Sequence, residues 1–308
     1  MPQPPGSGSD PVEVAPLLTD LGGLTVKRLL PRRPRRLVGA WCFLDVFGPL
    51  GFEAGAKPMD VPPHPHIGLQ TVTWLLEGEA LHRDSLGSQA SARPGALNLM
   101  TSGSGIAHSE ETPAGSAGRL HGVQLWIALP DADRHVAPSF DHHPDRPVVD
   151  LGGGRATVIL GELAGVAAAA RTFSPLLGAE VAIEPSHRVV VPLEPSFEHA
   201  LVPLGSGAAL PGRPLSADTL YFLGRGRREL AVENQAAGAV RLLLLGGEPF
   251  GETIRMWWNF VARSNDEIAA ARADWEAGRR FGDVRGYPGD RLPAPPFTAR
   301  PVPANPMS

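Results

Sequence analysis

The chain has 308 residues, a formal net charge of −4, 43% hydrophobic and 19% charged residues, and unusually many glycines (36) and prolines (33). That composition fits a globular protein of one large or two ordinary domains, built on turns and strands more than helices. It gives no electrostatic reason to expect nucleic acid, and no apolar run reaches the roughly eighteen residues of a membrane span. A single cysteine, Cys42, excludes an intramolecular disulfide, and the N-terminus lacks the basic and apolar regions of a signal peptide. A reducing, cytoplasmic setting is expected.

Residues 1–10, polar and rich in Gly and Pro, read as disordered, and 1–23 as a whole reads as a tail and lead-in. Strands separated by Gly and Pro turns then follow from Leu24 to about Leu129. They include Leu24–Leu30, the apolar run Val38–Phe47, Gln70–Gly78, Ala80–Asp84 and Ala92–Met100. The basic cluster Arg32-Arg-Pro-Arg-Arg36 reads as a solvated loop between the first two of these. A polar stretch, Pro130–Pro144, reads as a linker, and its Asp141-His-His143 as a polar loop. The first domain is therefore drawn at 24–140 and a second at 141–284.

The second block repeats the strand pattern with Ala179–Glu184, Arg188–Leu193, Thr219–Leu223, Glu229–Glu233 and Val240–Leu245. Segment 162–170 is ambiguous, because its alanines favour a helix and Gly161 and Gly165 oppose one. One helix is well signalled near 265–277. Ser264-Asn-Asp-Glu267 is a capping box, and Ile268, Ala271 and Trp275 follow on one face up to Gly278. Residues 285–308 form a Pro-rich, extended tail.

The chemistry concentrates in two short pairs. His64 and His66 stand in Pro63-His-Pro-His66, and His108 and Glu110 in His108-Ser-Glu110. Side chains two apart on a strand share a face, so adjacent strands could aim three imidazoles and a carboxylate at one point. Such a donor set suits iron, manganese, nickel or zinc better than magnesium or calcium. It would leave positions open for substrate or oxygen. No His-x-His occurs in the second block, which reads as the same architecture without metal. Other catalytic readings are weaker. Ser102-Gly-Ser-Gly105 is not a nucleophile elbow, Gly152-Gly-Gly154 lacks dinucleotide spacing, and Cys42 sits in an apolar run as a packing residue.

The motifs together resemble the pirins of the cupin superfamily. The matching stretches are Phe43-Leu-Asp-Val-Phe-Gly-Pro49, His64-Pro-His-Ile-Gly68, Thr71-Val-Thr-Trp-Leu-Leu-Glu-Gly78 and Pro94-Gly95. Further on they are Met100-Thr-Ser-Gly-Ser-Gly-Ile-Ala-His-Ser-Glu110, Leu120-His-Gly-Val-Gln-Leu-Trp126 and Phe250-Gly-Glu-Thr-Ile-Arg-Met-Trp-Trp-Asn-Phe260. The resemblance implies an all-β bicupin, two antiparallel β-barrel, jelly-roll-like domains with a short C-terminal helix. It also implies Fe(II) in the first domain, held by His64, His66, His108 and Glu110. Ile67 and Gln70 depart from the family's Arg and Glu, which leaves Glu110 as the carboxylate of the site.

Two functions follow from the resemblance. One is a quercetin 2,3-dioxygenase-like enzyme acting on a flavonol or related enolisable aromatic with O₂, with Glu110 as base. The other is a non-catalytic, iron-dependent redox regulator that binds a transcription factor or a metabolic enzyme. For the enzyme, Gln70 and His121 are candidates to orient the ligands, and Trp74, Leu97, Met100 and Trp126 are candidates for the apolar wall.

Overall fold

A computed structural model describes residues 10–297 apart from residue 22. The expected disorder of residues 1–10 lies outside the described residues except at Asp10, as does the end of the Pro-rich tail. Each domain pairs one large antiparallel sheet with one four-stranded sheet. In the first, the large sheet runs Ser139–His143, Leu97–Thr101, Leu69–Glu77, Gly118–Ala128, Trp41–Phe52, Leu24–Leu30 and Leu17–Leu21. Its small sheet runs Asp60–His66, Ile106–Glu111, Ala80–Asp84 and Gln89–Ala92. The second domain repeats this order strand for strand. Its large sheet runs from Val12–Val14 through Leu220–Gly224, Glu198–Pro203, Val240–Gly247, Leu176–Ile183 and Gly154–Leu163 to Val148–Asp150. Its small sheet runs Arg188–Pro192, Glu229–Asn234, Ala208–Leu210 and Arg213–Pro214. The chain is thus a bicupin, with each domain an open two-layer jelly roll and not a closed barrel.

Two segments cross the domain boundaries read from sequence. Val12–Val14, within the lead-in, pairs with Leu220–Phe222 of the second domain. Ser139–His143, within the linker, pairs with Leu97–Thr101 of the first. The second domain's large sheet is thus finished by the lead-in of the first, and the first domain's by the segment that joins the two. Segment 162–170 is not helical. Glu162 pairs with Ala167 and Leu163 with Val166 across a two-residue turn at Ala164 and Gly165, both at positive φ. Such a turn matches the twist of a hairpin.

The topological repeat also shows where the two domains differ. The small-sheet strands that hold His64, His66 and His108 in the first domain correspond to Arg188–Pro192 and Glu229–Asn234 in the second. There Val189 faces Val232 and Val191 faces Leu230, all buried in an aliphatic core between the two sheets.

The outward faces of the two large sheets pack against each other. Cys42, Leu44, Val72 and Trp74 meet Leu160, Ala200, Val202 and Leu243 in the largest apolar cluster. The strand Leu69–Glu77 is buried on both faces from Leu69 to Leu76, one toward its own domain and one toward the other. Trp41 spans this seam, its indole N–H shared between the carbonyls of Leu177 and Gly246 at 3.2 and 3.1 Å.

After the second domain the chain returns to the first. A hairpin of Arg255–Trp257 and Phe260–Ala262 lies beside Ile67, whose carbonyl accepts from Val261 N at 3.1 Å. The helix Asn265–Glu276 begins with the expected capping box and buries Ile268, Ala271 and Trp275. The Pro-rich segment then lies across the strand Asp60–His66. Leu292 N donates to Pro63 O at 2.9 Å, and the Tyr287 hydroxyl donates to Asp60 at 2.8 Å.

Candidate metal centre

The strands Asp60–His66 and Ile106–Glu111 pair antiparallel so that His64 lies opposite His108 and Ile106 opposite His66. The period of two places all three imidazoles on the inner face of the small sheet. One ring nitrogen from each lies within 4.8 Å of the others, and all three residues are buried. Nε2 of His66 and Nε2 of His108 face each other at 3.0 Å.

The hydrogen bonds on the far side of each ring test whether this cluster fits a metal. Nδ1 of His64 is 2.9 Å from the Pro62 carbonyl, and Nδ1 of His66 is 3.1 Å from the Asn259 carbonyl. A carbonyl only accepts, so each ring carries its proton on Nδ1 and leaves Nε2 as a free lone pair. Burial pushes His64 down to about 4 and holds His66 and His108 well below the usual imidazole range. Neutral imidazoles with Nδ1 tied to acceptors are the form in which histidine ligates a metal. The donor set fits.

Glu110 follows His108 across a bulge, where the register with Asp60–His66 shifts by one residue. Its carboxylate is not part of the compact three-nitrogen group, but it lines the same cavity. The Thr73 hydroxyl donates to it at 2.7 Å. Burial raises the Glu110 pKa, and the Thr73 hydrogen bond opposes that rise.

The cavity, of about 530 Å³, opens from the histidines toward the large sheet. That is within the range of pockets for drug-sized ligands. Phe43 and Trp126 stack on each other at 4.0 Å between ring centres, and Arg28 lies over Phe43 at 4.6 Å. Arg28 also holds Asp45 through two hydrogen bonds of 2.9 and 2.8 Å. Burial raises the Asp45 pKa and the guanidinium counters it. The C-terminal return adds Trp258, Asn259 and Leu292 to the wall. Trp258 adopts φ +52, a left-handed backbone that bulky residues rarely take and that concentrates at functional sites.

Of the wall candidates read from sequence, Trp126 lines the cavity. Trp74, Leu97 and Met100 are buried elsewhere, and the Trp74 indole points across the domain seam to donate to Glu180 at 2.8 Å. Neither residue proposed to orient the ligands reaches them. Gln70 donates to Thr101 Oγ1 and to the Arg171 carbonyl, and His121 sits among Asp218, Glu77, Arg241 and Lys27. His82 reaches the cluster instead, with Nδ1 3.3 Å from Nδ1 of His108 and Nε2 3.1 Å from Asp84 Oδ2. The signal lay in His82-Arg-Asp84, which has the same i, i+2 spacing as His64/His66 and His108/Glu110.

Comparison with known proteins gives the lineage. The pirin profile matches residues 23–127, and the profile of the pirin C-terminal cupin domain matches residues 178–282. The chain belongs to the pirin family. Among pirin relatives, a Pseudomonas aeruginosa protein named "Putative quercetin 2,3-dioxygenase PA1205" is 51% identical over 277 residues, 90% of this chain and 87% of that protein. A pirin-like protein of Caulobacter vibrioides is 41% identical over 266 residues, 84% of this chain and 91% of that one. The crystal structure of a quercetin 2,3-dioxygenase from Acinetobacter baumannii superposes with a TM-score of 0.91 at 41% identity, covering 96% of this chain and 98% of that one. In this pirin no helix among the described residues is long and apolar enough to cross a membrane.

Proposed function

We propose that this pirin is a metal-dependent dioxygenase that opens the central ring of a flavonol such as quercetin. The observation that carries the reading is the set of three buried, neutral imidazoles, with Nδ1 tied back and Nε2 turned inward, at the end of an aromatic-walled cavity. The names of the Pseudomonas and Acinetobacter relatives support the same reaction. His64, His66 and His108, with Glu110 beside them, would hold Fe(II), ahead of manganese, nickel or zinc. That ion would supply a Lewis acid for a substrate hydroxyl and a centre for O₂ chemistry.

The protein's own side chains supply the rest. Glu110 is the acidic group beside the histidines, and its raised pKa makes it a better proton acceptor for the flavonol 3-hydroxyl than an exposed carboxylate. Thr73 fixes its orientation. The stacked Phe43–Trp126 pair offers a flat wall to a planar aromatic, and Arg28 with Asp45 gives polar partners for phenolic hydroxyls. Trp258 and Leu292 narrow the space and keep bulk water from the reacting carbons.

Glu110→Gln tests the assignment, because it keeps the shape and the Thr73 contact but removes the base. Oxygen uptake with quercetin should fall by about 10²–10⁴-fold while metal is retained, though more weakly. Unchanged turnover would remove Glu110 from this role.

A further inference from the structure

Among the three histidines, His108 is set apart by what holds its outer nitrogen. His64 and His66 face backbone carbonyls, which fix their tautomers unconditionally. His108 Nδ1 faces another imidazole, that of His82, which can either donate or accept. The choice is made one step further out. His82 Nε2 lies 3.1 Å from Asp84 Oδ2, and a carboxylate only accepts. Neutral His82 therefore carries its proton on Nε2 and presents a bare Nδ1 to His108. His108 must then donate from Nδ1 and keep Nε2 free. Asp84 is itself anchored, its Oδ1 accepting from Leu86 N at 2.9 Å and Ser88 N at 3.0 Å.

The sheet geometry builds this chain of three. His108 pairs directly with Asp84, and Glu110 with His82, so all four share one buried face of the small sheet. The His82 ring is held flat against Phe140, 4.2 Å between centres and 12° from parallel. Phe140 comes from Ser139–His143, so the segment read from sequence as a linker braces the relay.

We propose that Asp84 and His82 are positioning residues that set the tautomer of His108 and thereby make its Nε2 a metal ligand. This rests on the three-histidine centre described above and assigns two residues that touch neither substrate nor metal.

Asp84→Asn separates this role from plain packing. Asparagine keeps an oxygen for the Leu86 and Ser88 amides, but its NH₂ now donates to His82 Nε2. His82 must then move its proton to Nδ1 and donate to His108, whose own proton is forced onto Nε2, in the ligating position. Cobalt(II) serves as the probe, since its visible absorption reports both affinity and ligand set. Cobalt affinity should fall about 10–100-fold in Asp84→Asn, the usual cost of losing an outer hydrogen-bond partner. His82→Gln added to Asp84→Asn should recover most of that loss, because the glutamine oxygen accepts from His108 whatever stands at 84.

A second readout needs no metal. Nitrogen-15 NMR of the histidine rings in metal-free protein should place the His108 proton on Nδ1 in the parent and on Nε2 in Asp84→Asn. An Asp84→Asn protein with parental cobalt affinity and an unmoved His108 proton overturns the relay. A parent that binds no cobalt overturns the three-histidine centre instead, and the NMR result then still decides the relay.

Discussion

His199 gives a stability prediction whose size follows from its surroundings. The ring is fully buried in the second domain, against Gly246 and Phe197, and neither nitrogen has a well-formed hydrogen-bond partner among the described residues. Burial pushes its pKa down to about 4, against the opposing pull of the Glu194 charge and the Phe197 backbone. In the unfolded chain the ring titrates near 6.5. The folded state therefore resists a proton that the unfolded state accepts, and stability falls as pH drops from about 6.5 toward 4. Across the full gap of about 2.5 pH units the loss is roughly 3 kcal/mol, and between about pH 7.5 and 5 it is about 2 kcal/mol. His199→Phe removes the titration while keeping a flat ring. Urea unfolding of both proteins, metal-free, at the two pH values gives the comparison. The parent should lose about 2 kcal/mol more than the variant on acidification, and other histidines cancel in the difference. Equal losses would show that His199 is protonated as readily in the fold as outside it, and the burial argument would fail.

Three further outcomes are expected. Trp275→Ala should cost about 3–5 kcal/mol in thermal or urea unfolding. It removes a buried ring and the 2.8 Å hydrogen bond to the Leu292 carbonyl, so amide exchange near Leu292 should also rise. Cys42, with burial pushing its thiol up to about 12, should resist iodoacetamide in the native protein at neutral pH and react only on unfolding. Phe43→Ala should raise the KM for quercetin more than it lowers kcat, since Phe43 belongs to the flat wall and not to the proton-transferring group.

The histidine cluster was legible because a strand has a period of two, which puts His64 and His66 on one face, opposite His108 on the neighbouring strand. Glu110, past a bulge, lines the same cavity but stands outside the three-nitrogen group. The helix was legible because a capping box is local. What escaped was non-local. The strand Leu69–Glu77 is buried on both sides, so its alternation carries no polar face to show that Trp74 points to the other domain and Thr73 to the cavity. Val12–Val14 and Ser139–His143 are short segments whose partners lie far away or on an unexpected side of a boundary. The return of Trp258, Asn259 and Leu292 to the first domain has no signature in spacing at all. Yet it supplies the carbonyl that fixes His66. His82-Arg-Asp84 carried the right period, but a pair that serves another histidine looks the same in sequence as any strand-borne His and Asp.

The most direct test of the account is to reconstitute the protein anaerobically with Fe(II), confirm iron by elemental analysis, and record O₂ uptake and carbon monoxide release together on adding quercetin. His66→Ala is run alongside. The account expects about one iron per chain and O₂ and carbon monoxide in step with flavonol consumed, with both iron and turnover lost in the variant. Iron bound by the parent and lost in His66→Ala, with no O₂ consumed, would contradict the dioxygenase and leave a metal-dependent binding protein.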